Sequence, residues 1–140
     1  MIRRLADVPT VTDGDADDPD WHPLTHHFGL TAFGLNAFVA RAAGQELVSE
    51  HDETGSGQEE VYVVLEGVAR FWLDEVASDV PAGSVVVLRD PATRRRAVAL
   101  EPGTSLLALG GPARPSFPST WDSSHFGDVA RADNLPRLSA

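Results

Sequence analysis

The sequence predicts an all-β fold, a sandwich or barrel in one domain, from three observations. Short apolar segments recur from residue 31 to residue 109, each bounded by Pro, Gly or Asp. The segment EVYVVLEG, residues 60–67, alternates toward a glycine turn as a half-buried strand does. The same region shows no helical period, and a length of 140 residues suits one domain.

The strands follow from these signals in chain order. Gly34 is predicted to mark a bulge in the first strand, and Glu66-Gly67 is predicted to form a tight hairpin turn. The predicted strands are Thr31–Arg41, Glu46–Ser49, Glu60–Leu65, Val68–Leu73, Val76–Val80, Ser84–Leu88, Arg96–Leu100 and Thr104–Leu109.

Two terminal segments flank the predicted domain of residues 25–112. Residues 1–24 are rich in Asp and Pro, which favours a solvated, mobile arm. The tail, residues 113–140, is predicted to contain one short helix over Asp122–Arg131, capped by Asp122 or Ser123. The tail aromatics are expected to pack on the domain or on a partner subunit; they are Phe117, Trp121 and Phe126.

Composition excludes several classes of function. The formal net charge is −10, with 21 acidic and 11 basic residues, so phosphate backbones and anionic lipid surfaces are repelled. There is no cysteine, which excludes disulfides, thiolate metal sites and cysteine nucleophiles. No apolar run resembles a signal peptide or spans a bilayer, so we expect a cytoplasmic protein without nucleic-acid or membrane partners.

Polar residues converge around one predicted loop, between the second and third strands. His51 and Glu53 share a strand face by alternation, as do Glu60 and Tyr62. We take this face to be the interior. Acidic and imidazole groups inside a barrel form either a metal site or a polar substrate pocket.

Residues 31–110 resemble the cupin superfamily, and the likeness lies in two motifs. Glu60 is followed by six residues and then Gly67, and Gly44 matches the glycine that opens the first motif. Pro81-Ala82-Gly83 followed by SVVVL, and then Pro91, resembles the second motif. The resemblance implies a small jelly-roll β-barrel, often dimeric, in a superfamily whose members frequently hold a metal through three His and one Glu.

The departures from these motifs lie at the ligand positions. Motif spacing puts Glu50 and Asp52 where two histidines belong, or His51 and Glu53 if shifted by one residue. The third histidine position, five residues after Pro91, is Arg96. The metal motifs are therefore degenerate, with His51 as the one histidine retained.

Two interpretations of the interior remain open. In the first, His51 and Glu60 bind a divalent ion such as zinc, iron, manganese or nickel, with His26, His27 or His125 as a possible source of a second imidazole. In the second, which we favour, no metal is needed because Arg96 is a permanent cation that pairs with Glu60.

The predicted function is small-molecule chemistry or small-molecule binding. As an enzyme of isomerase, cyclase or lyase type, the protein would use Glu60 or His51 to move a proton and Arg96 to orient an anionic group. The alternatives are a non-catalytic binding module and a metal-dependent, oxygenase-like protein. The predicted substrate contacts are Glu53, Gln58, Tyr62, Trp72 and Arg94. The resemblance also favours a homodimer.

Overall fold

The computed structural model describes residues 1–11, 14–120 and 123–132, and these residues form mainly antiparallel strands. The helical elements are short: a 3-10 helix at Leu5–Asp7, α1 at Leu24–Phe28 and a 3-10 helix at Ser123–Phe126. The strands are β1 (Asp20–His22), β2 (Gly34–Val39), β3 (Glu46–His51), β4 (Gln58–Glu66), β5 (Val68–Leu73), β6 (Val76–Pro81), β7 (Val85–Leu88), β8 (Arg95–Ala99) and β9 (Ser105–Pro112). The all-β prediction is confirmed.

The strands form two sheets that share one core. One sheet has the order β1-β2-β9-β4-β7 and the other has the order β3-β8-β5-β6. Tyr62 on β4 meets Phe71 on β5 with ring centroids 5.4 Å apart, so the two sheets pack face to face. Residues that alternate along each strand supply the rest of this core, including Val64, Ala97 and Leu106.

The β4–β5 hairpin turns at Gly67, whose φ of 71° lies in the left-handed region. A Cβ at this position would lie 2.8 Å from the Cα of Thr104, so a side chain has no room there. Both constraints explain glycine at this turn, which the sequence predicts.

The N-terminal segment is more ordered than the sequence predicts. β1 lies within the predicted arm and pairs with β2, so the sheet begins before residue 25. Val8 and Leu24 are buried against Ala37 on the outer face of β2. The acidic stretch is held by Arg41, which forms an ion pair with Asp20 and donates hydrogen bonds to the carbonyl oxygens of Ala16 and Asp18.

The expected bulge at Gly34 is wrong, because Gly34 pairs in register with Gly110. Phe117 is exposed and Phe126 is about half exposed, so neither is buried against the sheets of its own chain, and packing of the tail aromatics on a partner subunit stays a prediction. The tail helix is shorter than predicted, and Trp121 and Asp122 lie outside the described residues. Among the described residues, no helix is long and apolar enough to cross a membrane.

Candidate active site

A polar cluster lies at the end of the core where β3 leads into β4. His51 ends β3, Glu53 follows in the connecting loop and Glu60 lies on β4. The Nε2 atom of His51 lies 3.2 Å from Oε1 of Glu53 and 4.0 Å from Oε2 of Glu60. The structure therefore brings together three side chains that the sequence predicted to share the interior.

Tyr62 holds the carboxylate of Glu60. Its hydroxyl donates a hydrogen bond of 2.6 Å to Oε2 of Glu60, because residues two apart on a strand share a face. Burial and this hydrogen bond to a negatively charged acceptor raise the pKa of Tyr62 well above its ordinary value. Tyr62 therefore stays a neutral donor at physiological pH.

His51 is oriented by the main chain. Its Nδ1 atom lies 2.6 Å from the carbonyl oxygen of Ser49. A carbonyl oxygen can only accept, so Nδ1 carries the hydrogen of this bond. Nε2 then faces the two carboxylates, either as a proton acceptor or, in the doubly protonated ring, as a donor to Glu53. This arrangement suits a group that exchanges protons with Glu60 or binds a cation.

Arg95, which the sequence prediction missed, is the arginine that faces this cluster. Its side chain is completely buried, and its Nε atom lies 3.6 Å from Oε2 of Glu60. Along β8, Arg95, Ala97 and Ala99 are buried in alternation, and Ala97 pairs with the buried Phe71. The small side chains of Ala97 and Ala99 are the one sequence signal that could have placed Arg95 on the inward face.

The prediction that Arg96 points inward is wrong because strand alternation sends it to the opposite face. Its guanidinium lies 4.6 Å from the ring centroid of Trp72, and its Nε donates a hydrogen bond of 3.1 Å to Oε2 of Glu46. Trp72 is Arg96's partner on β5, so it too lies on the outer face.

Arg94 also lies outside the cluster. Its side chain is exposed, with Nη2 3.4 Å from Oε2 of Glu50. Arg94, Arg96 and Trp72 line a shallow surface cleft. Arg96 is therefore not the interior cation that the sequence predicts, and Trp72 and Arg94 do not lie beside the cluster where the predicted substrate contacts would be.

Just before Arg95, the chain is held to the end of β5 by a pair of hydrogen bonds that we call the Asp74–Arg94 clamp. The main-chain N–H of Asp74 donates to the carbonyl oxygen of Arg94 over 2.8 Å, and the N–H of Arg94 donates to Oδ1 of Asp74 over 3.0 Å. Asp74 adopts a φ of 52°, which Asp tolerates better than most residues. The clamp fixes β8 against β5 just before Arg95.

Gln58 reaches the cluster from the start of β4. The side chain is partly buried and lies over Gly110, where an added Cβ would be 2.5 Å from Oε1 of Gln58 and 3.4 Å from Cγ of Glu60. The missing side chain of Gly110 therefore gives Gln58 its space beside Glu60. Gln58 lies beside the cluster, and its contact with a substrate stays a prediction.

Several solved structures share this architecture. No protein-family model and no curated protein matches the chain. Among solved structures, a cupin protein from Bacteroides fragilis has 20% identity and a TM-score of 0.60, with 88% of this chain and 98% of that chain covered. A protein with a double-stranded β-helix domain from Klebsiella pneumoniae has 16% identity and a TM-score of 0.61, with coverage of 81% and 90%.

A sugar phosphate isomerase of the cupin superfamily from Silicibacter pomeroyi has 18% identity and a TM-score of 0.58. The match covers 69% of this chain and 61% of that protein.

This chain has the cupin fold. The resemblance read from Glu60, Gly67 and the Pro81–Gly83 turn is thereby confirmed at the level of architecture.

The donors of this cluster fit a divalent ion in number and kind. Among the described residues, one group could hold a metal: His51, Glu53 and Glu60, with ligand atoms within 4.8 Å of one another. One imidazole and two carboxylates suit zinc, iron, manganese or nickel. The histidines at positions 26 and 27 lie on α1 and contribute nothing to this group.

Arg95 competes with a metal for the same carboxylate. The guanidinium is a permanent cation 3.6 Å from the Glu60 oxygen that already accepts the Tyr62 hydrogen bond. A divalent ion bound at that oxygen would be close to a buried positive charge, which lowers its affinity. The cluster can therefore serve proton transfer without a metal.

Proposed function

We propose that this cupin binds a small organic molecule at the His51–Glu53–Glu60 cluster and transfers a proton with Glu60. The observation that carries the proposal is the carboxylate of Glu60, partly buried and contacted from three directions. Tyr62 lies 2.6 Å from its Oε2, Arg95 lies 3.6 Å away and His51 lies 4.0 Å away. A neutral donor, a cation and an imidazole around one carboxylate suit general acid–base chemistry.

Each residue has a distinct part in such a step. Glu60 takes a proton from a carbon next to a carbonyl group, and the electron pair of the broken C–H bond moves to the carbonyl oxygen. His51, at the more exposed side of the cluster, exchanges the proton with solvent. If the α-carbon bears a hydroxyl, transfer of the hydroxyl proton to the former carbonyl oxygen and return of the abstracted proton to the former carbonyl carbon complete an isomerisation. If the β-carbon bears a leaving group, the enolate electrons re-form the carbonyl group, a carbon–carbon double bond forms and the leaving group departs with the electrons of its bond, which completes a lyase reaction. One of the structures with a similar fold is named a sugar phosphate isomerase, and that name describes that protein.

Deuterium exchange tests this proposal without knowledge of the substrate. The protein is incubated in D₂O with pyruvate, dihydroxyacetone and glucose 6-phosphate, and loss of the proton signal next to each carbonyl is followed by NMR. We expect faster exchange than in buffer for at least one probe, and a loss of about 10²- to 10⁴-fold in Glu60→Gln.

The matched control is Glu59→Gln, which should exchange like the wild type. Glu59 is the adjacent residue on β4 but faces outward, 3.9 Å from Nε of Arg89. Wild-type exchange in Glu60→Gln, or equal losses in both variants, would show that Glu60 is not the base.

A metal-dependent activity is the second candidate, favoured by the close approach of the three ligand groups. His51, Glu53 and Glu60 would hold the ion, which would act as a Lewis acid toward a substrate oxygen. Metal analysis of the purified protein tests this candidate. Stoichiometric zinc, iron, manganese or nickel that is lost in His51→Ala would support it, and no bound metal after incubation with each ion would contradict it.

A further inference from the structure

The guanidinium of Arg95 lacks a hydrogen-bond acceptor among the residues that the structure describes. Its side chain is completely buried, yet Nε, Nη1 and Nη2 donate to no group in the part of the chain that the structure describes. The carboxylate of Glu60 is 3.6 Å from Nε, which gives electrostatic attraction but exceeds hydrogen-bond length. The two terminal nitrogens therefore remain available for an acceptor from outside the chain.

A buried guanidinium needs such an acceptor. Arginine carries five N–H donors in a fixed planar fork and cannot lose its charge in a protein. A buried donor without a partner costs free energy, and a buried charge costs more. Leu73, which pairs with Arg95 on β5, and Ala97, on the same face of β8, offer only carbon at their side chains, so they cannot satisfy the fork.

The burial of the cluster side chains increases from His51 to Arg95, which indicates the side from which a ligand would approach the guanidinium. The exposed fraction of the side chain falls from 34% for His51 to 17% for Glu53, 12% for Glu60 and 0% for Arg95. Polar groups thus extend from the surface at His51 to a cation at the inner end. A ligand that enters at His51 would meet Glu60 on its way to the guanidinium.

We propose that Arg95 receives the carboxylate of a small organic monoanion, with both carboxylate oxygens on Nη1 and Nη2. The planar fork of arginine matches the two oxygens of a carboxylate. A singly charged group is favoured over a phosphate dianion, because Glu53 and Glu60 already add negative charge within the cluster. The inference rests on the proposed function and names its substrate class: a carboxylic acid whose reactive carbon lies beside Glu60.

The test compares acids with their uncharged esters on the full-length protein. Binding of pyruvate and lactate is measured by calorimetry and thermal shift, with methyl pyruvate and methyl lactate as matched ligands and inorganic phosphate as the alternative anion. We expect saturable binding of the acids but not of the esters or phosphate. In Arg95→Met, binding should weaken by about 10- to 150-fold, the loss expected for a charge-assisted hydrogen-bonded contact.

Two further variants keep the test decisive. Arg96→Met removes the adjacent arginine from the outer face and should bind the acids like the wild type. Arg95→Lys keeps the charge without the fork, so it should bind the acids more weakly than the wild type. It provides the comparison if Arg95→Met fails to fold. NMR of the arginine Nε–H groups should show one signal that shifts as pyruvate saturates the wild type and is missing from Arg95→Lys.

The outcomes separate this inference from the proposed function. Four outcomes would overturn the carboxylate site. The acids and esters could bind equally, phosphate could bind more tightly than the acids, neither acid could show saturable binding, or Arg95→Lys could bind with wild-type affinity. Carboxylate binding that depends on Arg95, together with no deuterium exchange, would refute the proton transfer alone. Exchange of dihydroxyacetone with no carboxylate binding would refute the Arg95 site alone.

Discussion

Tyr62 donates its phenolic hydrogen to Oε2 of Glu60 across 2.6 Å, and both residues face the interior from β4. The ring of Tyr62 also lies against Phe71 of the opposite sheet, with ring centroids 5.4 Å apart. One side chain thus joins the polar cluster to the apolar core. The protonation state of Tyr62 therefore affects both the carboxylate and the packing of the two sheets.

This contact predicts a specific loss of stability at high pH. Burial and the Glu60 hydrogen bond raise the pKa of Tyr62 in the folded protein, while the unfolded chain keeps a value near 10.0. Above that pH the unfolded state releases a proton that the folded state retains, so the free energy of unfolding falls as pH rises, by about 1.4 kcal/mol per pH unit for this group. Below that pH the contribution of Tyr62 to stability is fully present.

Denaturant unfolding at pH values above and below the ordinary tyrosine pKa measures this loss of stability. Tyr62→Phe is the control, because its free energy of unfolding should lack the fall with pH that Tyr62 contributes. Tyr62 is the chain's one tyrosine, so phenolate absorbance reports it without interference. Ordinary titration of the folded protein would contradict the prediction.

Alanine substitutions at Gly67 and Gly83 distinguish two costs of adding a side chain, the left-handed backbone conformation and a steric clash. Both have a positive φ, 71° and 85°, but an added Cβ would crowd the backbone of Thr104 at Gly67 and meet nothing within 4 Å at Gly83. Gly83→Ala should cost about 1–2 kcal/mol for the left-handed conformation. Gly67→Ala should cost about 2–5 kcal/mol, because overpacking adds to that cost. Chemical unfolding measures both, and equal losses would show that the close approach to Thr104 does not matter.

Gly110→Ala should displace Gln58 from the cluster. The new Cβ would lie 2.5 Å from Oε1 of Gln58, the movable end of a side chain, so the strand should persist. If Gln58 contributes one hydrogen bond to a bound acid, pyruvate binding should weaken about 2- to 10-fold. Gly111→Ala is the control, since its Cβ would approach only Cβ of Phe33, at 4.0 Å. Identical affinities in the two variants would remove Gln58 from the binding site.

The homodimer remains a prediction, and the outer face of β7 is where we would test it. Val85 and Val87 lie more than half exposed on a strand at the edge of its sheet. Exposed apolar edge strands favour association with a second copy. Val87→Glu should therefore shift the mass in light scattering from dimer to monomer. Val76→Glu should leave the dimer intact, because Val76 lies on β6, the edge strand of the other sheet, whose exposed residues include the polar Ser78 and Asp79. A monomeric wild type, or no difference between the variants, would contradict this assignment.

The sequence predicts the strands well because alternation and glycine turns are local signals. β5 matches its predicted bounds, and β4, with Glu60 inward, differs from prediction only at its ends. Placement of the arginine failed because it depends on pairing between distant strands. Counting five residues from Pro91 selects Arg96, but the length of the preceding loop does not determine the register of β8.

The order of the N-terminal segment was missed for a related reason. Val8 and Leu24 are too few to form an apolar pattern in sequence, and they become buried only against the outer face of β2. The cluster of His51, Glu53 and Glu60 could be predicted because a single loop joins its members. Arg95 comes from β8, which pairs with β3 and places Arg95 opposite His51, but these two strands are far apart in sequence, so the contact depends on tertiary pairing.

The Asp74–Arg94 clamp has a consequence for chain-length variation. Because neighbouring strand residues face opposite sides, one residue inserted between Arg94 and Arg95 would reverse the direction of every following β8 side chain. Residues inserted at 89–92 precede the clamp and would enlarge an exposed loop without moving Arg95. Homologues should therefore tolerate gaps on one side of the clamp and not on the other, and an alignment anchored on Asp74 rather than Pro91 would recover the buried arginine.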